Sequence, residues 1–501
     1  VEIQIDRSSR VPIYRQIVDR LREMILSGAL PPGFRLPPER RLAQTLGVNR
    51  STVLNAYREL KGDRLVDAHV GRGTMVMAPR RSMTDGGPNG ELPWRQLIRD
   101  DARRTRDPLL RDLLETVGRT DVISLSIGLP AAELIPMEIT TALLERLLGE
   151  FGPKLLMHSP TEGLGSFRET LARWLTGRGI CCDPSEVLVL SGSQQGLDLV
   201  ARVLLDPGDV VVVEEPTYIG ALEVFRAAQA RLLSVPCGPD GIDTGILARL
   251  LERHRPKLIY TLPTFQNPSG AVLDLDGRRR LLDLAYRHQV PVVEDDPYSD
   301  LRYAGEALPS LKALDDRSHV LYLSTFSKVL YPGLRVGYMV PPRTVMRQLV
   351  LAKQSVDLHA NTLGQALINR LLCEGHLQTQ IIQARRVYRS RRDAMLGALA
   401  DSAVPGLDWR VPDGGFYIWC RLPDGTDRVR LLARAVERGV AFLPGWSCCA
   451  DDPTETRVRL NFSYPSEPDI RDGVGRLMSA VADAGGELGA ATATPCTPAI
   501  V

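Results

Sequence analysis

The sequence predicts a chain in two unlike parts, a small α+β head followed by a large α/β body built on a mostly buried parallel or mixed sheet. Three observations predict it. Residues 1–80 hold 14 Lys and Arg against 8 Asp and Glu, a balance of +6 in a chain whose total is +2, so the remainder is slightly acidic. Between about 78 and 106 the chain runs through Pro79, Gly86-Gly87-Pro88-Asn89-Gly90 and a highly charged stretch, which sustains neither helix nor ladder and reads as a linker. From about 121 onward, short apolar runs at 187–190, 210–213, 258–262, 291–293, 320–323 and 336–340 alternate with longer amphipathic segments.

Composition bounds the classes of function. With 501 residues, two to four domains are expected, and 44% hydrophobic against 24% charged residues excludes disorder over most of the length. No apolar run approaches the roughly 20 residues a membrane helix needs, and Val210-Val211-Val212-Val213 is strand-sized, so no membrane partner is expected. The first residues, Val-Glu-Ile-Gln-Ile-Asp, lack the basic and apolar regions of a secretion signal. Eight cysteines, including the vicinal pairs Cys181-Cys182 and Cys448-Cys449, form neither a disulfide framework nor a Cys-x-x-Cys metal site, so no metal is expected. The expectation is a soluble, reduced, cytoplasmic protein. The last residues, 487–501, rich in Gly, Ala and Thr, read as a disordered tail.

In the head, residues 12–27 are helical in pattern, with Ile13, Ile17, Leu21, Met24 and Ile25 on one face, Pro12 in the first turn and Gly28 just past the end. After a Pro-rich loop, Pro38 opens a short helix with Leu42, Ala43 and Leu46 inward. Gly47 makes the sharp turn, and Asn49 is placed to cap a third helix in which Val53, Tyr57 and Leu60 face the core. Arg50, Ser51, Asn55 and Arg58 then lie on the outer side, and Gly71-Arg72-Gly73 reads as a hairpin. A Gly-joined helix pair with a polar, Arg-bearing N-terminal end on the second suits a reader of the DNA major groove. Arg35, Arg40 and Arg72 lie on flanking elements suited to phosphate or minor-groove contacts. Singly, each arginine is as well explained as a solvated surface charge.

In order, Pro12-Ile13-Tyr14-Arg15-Gln16-Ile17, Gly33-Phe34-Arg35-Leu36-Pro37-Pro38-Glu39-Arg40-Arg41-Leu42-Ala43, Gly47-Val48-Asn49-Arg50-Ser51-Thr52-Val53 and Gly71-Arg72-Gly73-Thr74 resemble the GntR-family winged helix-turn-helix. The family usually has Ser where Pro38 stands and an acidic residue at Arg41. The resemblance covers nearly all of 5–78 and implies that Arg35, Arg40, Asn49, Arg50, Ser51, Thr52, Arg72 and Gly73 meet operator DNA.

In the body, Lys328 stands just past a predicted strand in Ser324-Thr325-Phe326-Ser327-Lys328, with Arg335 seven residues on. An amine among hydroxyls near an arginine suits an aldehyde cofactor bearing a phosphate: Lys328 condenses with the aldehyde, while Thr325, Ser327 and Arg335 hold the phosphate. Val292-Val293-Glu294-Asp295-Asp296-Pro297-Tyr298 ends a strand in carboxylates, one of which could pair with a protonated ring nitrogen. Thr264-Phe265-Gln266-Asn267-Pro268 puts an amide on a loop after another strand. Ser191-Gly192-Ser193-Gln194-Gln195-Gly196 joins a strand to a helix as a phosphate cradle would, without the dinucleotide or P-loop signatures. Taken alone, Lys328 reads equally as an exposed loop lysine, Asp295 as a capping carboxylate, Asn267 as a turn former and Ser193 as an N-cap.

Together these segments resemble the fold-type I, class I/II aminotransferases over roughly 121–480. The resemblance implies pyridoxal 5'-phosphate as the cofactor, with Lys328 bonded to it, Asp295 on the pyridine nitrogen and Asn267 and Tyr298 on the phenolic oxygen. It also implies Tyr218 stacked on the ring, and Ser193, Gln194, Thr325, Ser327 and Arg335 around the phosphate. Arg459, in Val458-Arg459-Leu460-Asn461-Phe462-Ser463, matches the arginine that binds a substrate carboxylate, and Gly128, in Ser126-Ile127-Gly128-Leu129-Pro130, the glycine facing it. Where many relatives carry a tyrosine that reaches the partner subunit's phosphate, His158 stands.

Head and body in this order resemble the MocR subfamily of GntR-type transcriptional regulators. That implies a multidomain chain: a winged helix-turn-helix at 1–78, a linker and lead-in helix at 79–120, an aminotransferase-like effector domain at 121–486 and the tail. It further implies a homodimer, arranged head-to-tail, that senses an amino compound or pyridoxal phosphate itself. The rival reading is an active aminotransferase carrying a DNA-binding head, since Lys328, Asp295, Asn267, Tyr298, Arg335 and Arg459 are all present. A purely architectural DNA binder leaves the cofactor residues unexplained. Effector, operator and the sign of regulation are not fixed by any motif.

Overall fold

The computed structural model describes residues 3, 5–6, 11–27, 29–31, 33–63, 65–69, 73–77 and 121–485, in two compact units that divide near residue 100. The predicted linker and tail, and Arg72 with Gly71, lie outside the described residues.

The head packs three helices, α1 (Ile13–Leu26), α2 (Glu39–Leu46) and α3 (Arg50–Gly62), with an antiparallel hairpin, β1 (Val66–His69) and β2 (Gly73–Val76), in the register Val66↔Val76. The helix faces are those the periodicity predicts: Ile17, Leu21 and Ile25 of α1 and Val53, Ala56, Tyr57 and Leu60 of α3 are buried in one core. Gly47 ends α2 at φ 62°, a left-handed conformation in which a Cβ is strained, and so permits the tight turn into α3. Asn49 is the N-cap of α3, but its side chain makes no capping hydrogen bond. The segment 33–36 bridges to the hairpin at Arg35↔Met75, through Leu36 N–H to Thr74 O (2.9 Å) and Val76 N–H to Phe34 O (2.9 Å), which the proline-rich sequence hid.

The body is organised by an eight-stranded mixed sheet in the order β4-β11-β10-β9-β8-β5-β6-β7. Its strands are β4 (Leu188–Leu190), β5 (Val210–Glu215), β6 (Arg231–Gly238), β7 (Gly241–Ile242), β8 (Leu258–Thr261), β9 (Val292–Asp295), β10 (Val320–Thr325) and β11 (Gly337–Val340). All six predicted runs are strands, and β6, masked by Arg231, Ser234 and Pro236, is an addition. Successive residues alternate between two buried faces: Val211, Val213, Tyr260, Val293 and Leu321 pack with the helices Ser193–Leu204 and Ile219–Ala227, and Val212, Ile259, Val292 and Val320 with Thr244–Arg253 and Leu275–His288. Because β5, β8, β9 and β10 run parallel, the loops after their carboxyl ends open on one edge of the sheet. The turn after β4 opens there too, since β11 is antiparallel to both β4 and β10.

A second, smaller sheet closes that edge. It comprises β12 (Asp408–Trp409), β13 (Tyr417–Arg421), β15 (Leu443–Pro444) and β16 (Arg457–Asn461), backed by the helices His376–Asp401 and Glu467–Ala484. The short strand β3 (Ile123–Ser124) pairs with β14 (Val440–Ala441), and Asn461 N–H donates to Leu125 O at 2.7 Å. This ties residues 123–128 beside β16, and so brings Gly128 to Arg459.

Candidate functional site

Lys328 follows β10 and sits part-buried on the floor of the carboxyl-edge cleft, where its Nζ donates to Gly128 O at 2.7 Å. Burial pulls its ammonium below the ordinary lysine range. The positive charges of Arg459 and Arg335 act the same way, against Tyr417 and Asp295.

Three consecutive carboxylates end β9 and its loop, and the pleat separates them. Glu294 accepts the backbone N–H groups of Leu311 and Lys312, both at 2.8 Å. Asp296 accepts from Tyr322 Oη at 2.8 Å and from Ser299 N–H at 3.1 Å. Asp295 alone faces the cleft, 3% exposed: Tyr260 Oη donates to Oδ2 at 2.8 Å, and the buried Oδ1 has no partner. Burial pushes its carboxyl up to about 7 despite the Tyr260 hydrogen bond.

The turn after β4 forms a cradle. Gly192, at φ 89°, caps the helix Ser193–Leu204, and a Cβ there would lie 2.3 Å from the Arg335 guanidinium. Gly337 backs the same turn, where a Cβ would lie 3.0 Å from Ser193 N. Thr325 and Ser327 hydroxyls meet at 2.9 Å beside it. Asp357 fixes the turn from behind, accepting from Ser191 Oγ (2.8 Å), Gln195 Nε2 (2.7 Å) and the fully buried Lys353 (2.6 Å). Gln194 bridges to the opposite wall, accepting from Tyr218 Oη at 3.1 Å and donating to Gly220 O at 2.9 Å.

On the far wall, Arg459 of β16 is 6% exposed. Its Nη1 donates to Asn267 Oδ1 at 2.9 Å and its Nη2 to Ser126 O at 2.5 Å, while the buried Nε has no partner. Its guanidinium carbon lies 4.1 Å from the centre of the Tyr417 ring. Tyr298 shares a 2.9 Å hydrogen bond with Tyr417 Oη. Thus Lys328, Asp295, Asn267, Tyr298, Arg459 and Gly128 converge, with Asn267 and Tyr298 engaged by neighbours within the cleft.

These residues fit pyridoxal phosphate. The unpartnered Asp295 Oδ1 calls for a buried donor such as a pyridinium N–H. The glycine-lined helix start offers backbone N–H groups and a positive dipole end to a phosphate. Lysine, carboxylate and cradle all lie on one edge of the sheet.

Sequence reasoning missed Tyr260, Tyr417 and Asp357. Tyr260 stands in an apolar strand, where a buried phenol needs an acceptor, and that need was the available signal. Tyr417 follows Gly414-Gly415, where a Cβ on Gly414 would lie 2.3 Å from the Phe265 ring. His158 contacts His359 (Nδ1 to Nε2, 3.0 Å).

In the head, Arg35, Arg40, Asn49, Arg50, Ser51, Asn55 and Arg58 are exposed, and Thr52 is half-buried. Arg50 is held by Glu39, Nε and Nη2 lying 3.1 and 3.0 Å from Oε2. Gly73, at φ 83°, leaves room for Arg35, whose Nε would lie 2.8 Å from a Cβ there.

Comparison with known proteins matches residues 120–477 to the family described as aminotransferase class I and II, and residues 13–76 to bacterial regulatory proteins of the gntR family. The chain is 40% identical to a 2-aminoadipate transaminase of Thermus thermophilus, over 78% of this chain and 98% of that one. It is 30% identical to a probable rhizopine catabolism regulatory protein, MocR, of Rhizobium meliloti, over 95% of both chains. Among solved structures, the kynurenine aminotransferase of Pyrococcus horikoshii, in complex with PMP, superposes with a TM-score of 0.75 at 40% identity, over 79% of this chain and 99% of that one.

Proposed function

The chain belongs to the aminotransferase class I and II family and to its MocR-type branch of regulators headed by a gntR-family domain, and from this premise we propose that it is a pyridoxal-phosphate-dependent transcriptional regulator. It binds operator DNA through the head and reads an amino compound, or pyridoxal phosphate itself, through the body. One observation carries this reading: the similarity to a MocR regulator spans 95% of both chains, whereas the similarity to the transaminase stops at 78% of this one. The matched ranges also support a head at 1–78, a linker at 79–120, a body at 121–486 and a tail at 487–501.

When bound, the cofactor supplies an aldehyde that condenses with amines and a protonated ring that withdraws electrons. Lys328, its ammonium destabilised by burial, offers a larger share of neutral amine to that aldehyde than an exposed lysine does. Asp295 would accept the pyridine N–H and so be held ionised. Ser193, Gln194, Thr325, Ser327 and Arg335 would hold the phosphate, Tyr218 would cover the ring, and Asn267 and Tyr298 would serve its phenolic oxygen. Arg459 would take a ligand carboxylate, with Gly128 lining that side of the cleft. In the head, Arg50 leaves Glu39 for a base edge, while Arg35, Arg40 and Arg72 take phosphates or the minor groove, and Asn49, Ser51, Thr52 and Gly73 line the contact. An effector moves the heads only through different affinities for two arrangements of the chain.

We assign the chain to a homodimer, head-to-tail, in the cytoplasm with its DNA. Among the described residues no helix is long and apolar enough to cross a membrane. Leu156, Met157 and Leu358, 67%, 63% and 53% exposed, cluster around the His158–His359 contact and support burial of that face by a second copy.

A second reading, an active transaminase, is favoured by the convergence of Lys328, Asp295 and Arg459. One experiment separates the two. The protein loaded with pyridoxal phosphate is titrated with a panel of amino acids and amines while absorbance and keto acid are followed. A stable change in the visible band without keto acid, and a matching change in DNA binding, is the regulator's result. Stoichiometric keto acid, with turnover on adding an acceptor, overturns it in favour of the enzyme.

A further inference from the structure

Tyr417 has no role in the reading above, yet it touches Arg459 and Tyr298 and fills the space before Gly128. It is the first residue of β13 and faces β16, so that its ring lies against Arg459, with the guanidinium carbon 4.1 Å from the ring centre. It is 3% exposed, and its hydroxyl has one partner, Tyr298 Oη, at 2.9 Å. That hydroxyl also occupies the space in front of Gly128: a Cβ on Gly128 would lie 1.9 Å from it. The glycine is therefore required by Tyr417 itself, because any larger residue would expel the phenol.

The free valences nearby point to an anion. Arg459 is buried with its Nε unpartnered, although its other two nitrogens donate to Asn267 and Ser126. A buried guanidinium paired with no carboxylate is costly, and its unpaired N–H is most cheaply satisfied by a ligand's negative oxygen. Tyr417 Oη is the neutral donor next to that cation, on the Gly128 side. A phenol donates one proton and also accepts, and either hydroxyl can be the donor of the Tyr298–Tyr417 bond, so Tyr417 can give its proton to an arriving oxygen by leaving Tyr298 or while accepting from it.

We propose that Tyr417 is the second carboxylate-binding residue of the pocket: its hydroxyl donates its proton to the carboxylate held by Arg459. The ligand class is then an α-amino acid with a free carboxylate rather than a simple amine. With that proton on the carboxylate, Tyr417 can only accept from Tyr298, so carboxylate arrival either fixes the direction of the Tyr298–Tyr417 hydrogen bond or breaks it. This rests on the reading of the body as a pocket for amino compounds.

The test uses the full-length, cofactor-loaded protein and three matched pairs: L-alanine with ethylamine, L-lysine with cadaverine, and L-tyrosine with tyramine. Dissociation constants are read from the visible spectrum. Tyr417→Phe keeps the ring on Arg459 and removes the donor, so the amino acid that binds wild type should weaken about ten- to a hundredfold, while its decarboxylated partner changes less than about twofold. Tyr298→Phe leaves Tyr417 its hydroxyl without its resting partner, so the preference for the carboxylated member is retained or sharpened. Equal weakening of both members by Tyr417→Phe, or no weakening of either, overturns the proposal while leaving the pocket intact. Loss of the preference in Tyr298→Phe alone also overturns it. If wild type answers to the amines but to none of the three amino acids, the proposal is overturned while the pocket reading stands; if it answers to none of the six, the reading of the body as a pocket for amino compounds falls, and this proposal with it.

Discussion

Replacing Asp295 with Asn should make the ligand-free protein more stable at alkaline pH and leave it unchanged in acid. Burial holds the Asp295 carboxyl at about 7, against about 4 for an exposed aspartate. Between those values the folded chain keeps a proton that the unfolded chain has lost, so folding stability falls as pH rises from about 4 to about 7 and is level above that. Three pH units at about 1.4 kcal/mol each set a ceiling of about 4 kcal/mol. Because Tyr260 donates to the carboxylate and would donate less strongly to an amide, about 2 kcal/mol is the working figure. Asparagine has the same shape, accepts from Tyr260 and cannot ionise. The assay is urea unfolding of ligand-free wild type and Asp295→Asn from pH 4.5 to 8.5, and the difference between them is the quantity read. Glu294, also raised by burial to about 7, titrates in both proteins and largely cancels. The variant should gain about 2 kcal/mol above pH 7.5, nothing near pH 4.5, and lose that advantage when pyridoxal phosphate is bound, since only the carboxylate pairs with a pyridinium. A variant less stable than wild type by the same margin at every pH would refute the argument, because it would mean that Asp295 is ionised and satisfied without the cofactor.

Lys328→Ala should abolish the visible band that appears when pyridoxal phosphate is added, with far-ultraviolet dichroism unchanged; an unaltered spectrum would remove Lys328 from the site. Gly192→Ala places a side chain at φ 89° and against Arg335, and should cost about 1–2 kcal/mol of stability and raise the dissociation constant for pyridoxal phosphate, both measurable by denaturation and by absorbance titration. Arg50→Ala should weaken binding to a DNA fragment selected by the wild-type protein by about 1–3 kcal/mol at fixed salt. Because the Arg50–Glu39 pair is exposed, the same change should alter the head's own stability by less than about 1 kcal/mol.

The sequence by itself determined the order of the parts and marked the candidate side chains that the fold gathers in one cleft. Helical periodicity placed Ile17, Leu21 and Val53 inward, and the apolar runs of the body are its buried strands, because in both cases the signal is local: side-chain spacing and strand-length hydrophobicity act within ten residues. Lys328, Asp295, Asn267 and Arg459 were legible because each stands in a short motif. Several things were decided only by tertiary structure. Of the three acids at the end of β9, the pleat and the neighbours Leu311, Lys312 and Tyr322 satisfy two, and leave Asp295 with the open oxygen. Arg459 reaches Ser126 O because the segment after β3 lies beside β16, where Asn461 N–H donates to Leu125 O, more than 300 residues apart in the chain. Tyr417 and Asp357 carry no motif, and their importance lies in contacts with residues remote in sequence: Tyr298, Gly128 and Arg459 for the one, Ser191 and Gln195 for the other. A pattern along the chain records what a residue is and which way its element faces. Which side chain is left with an unmatched donor or acceptor depends on every element packed around it, and only the folded chain fixes that.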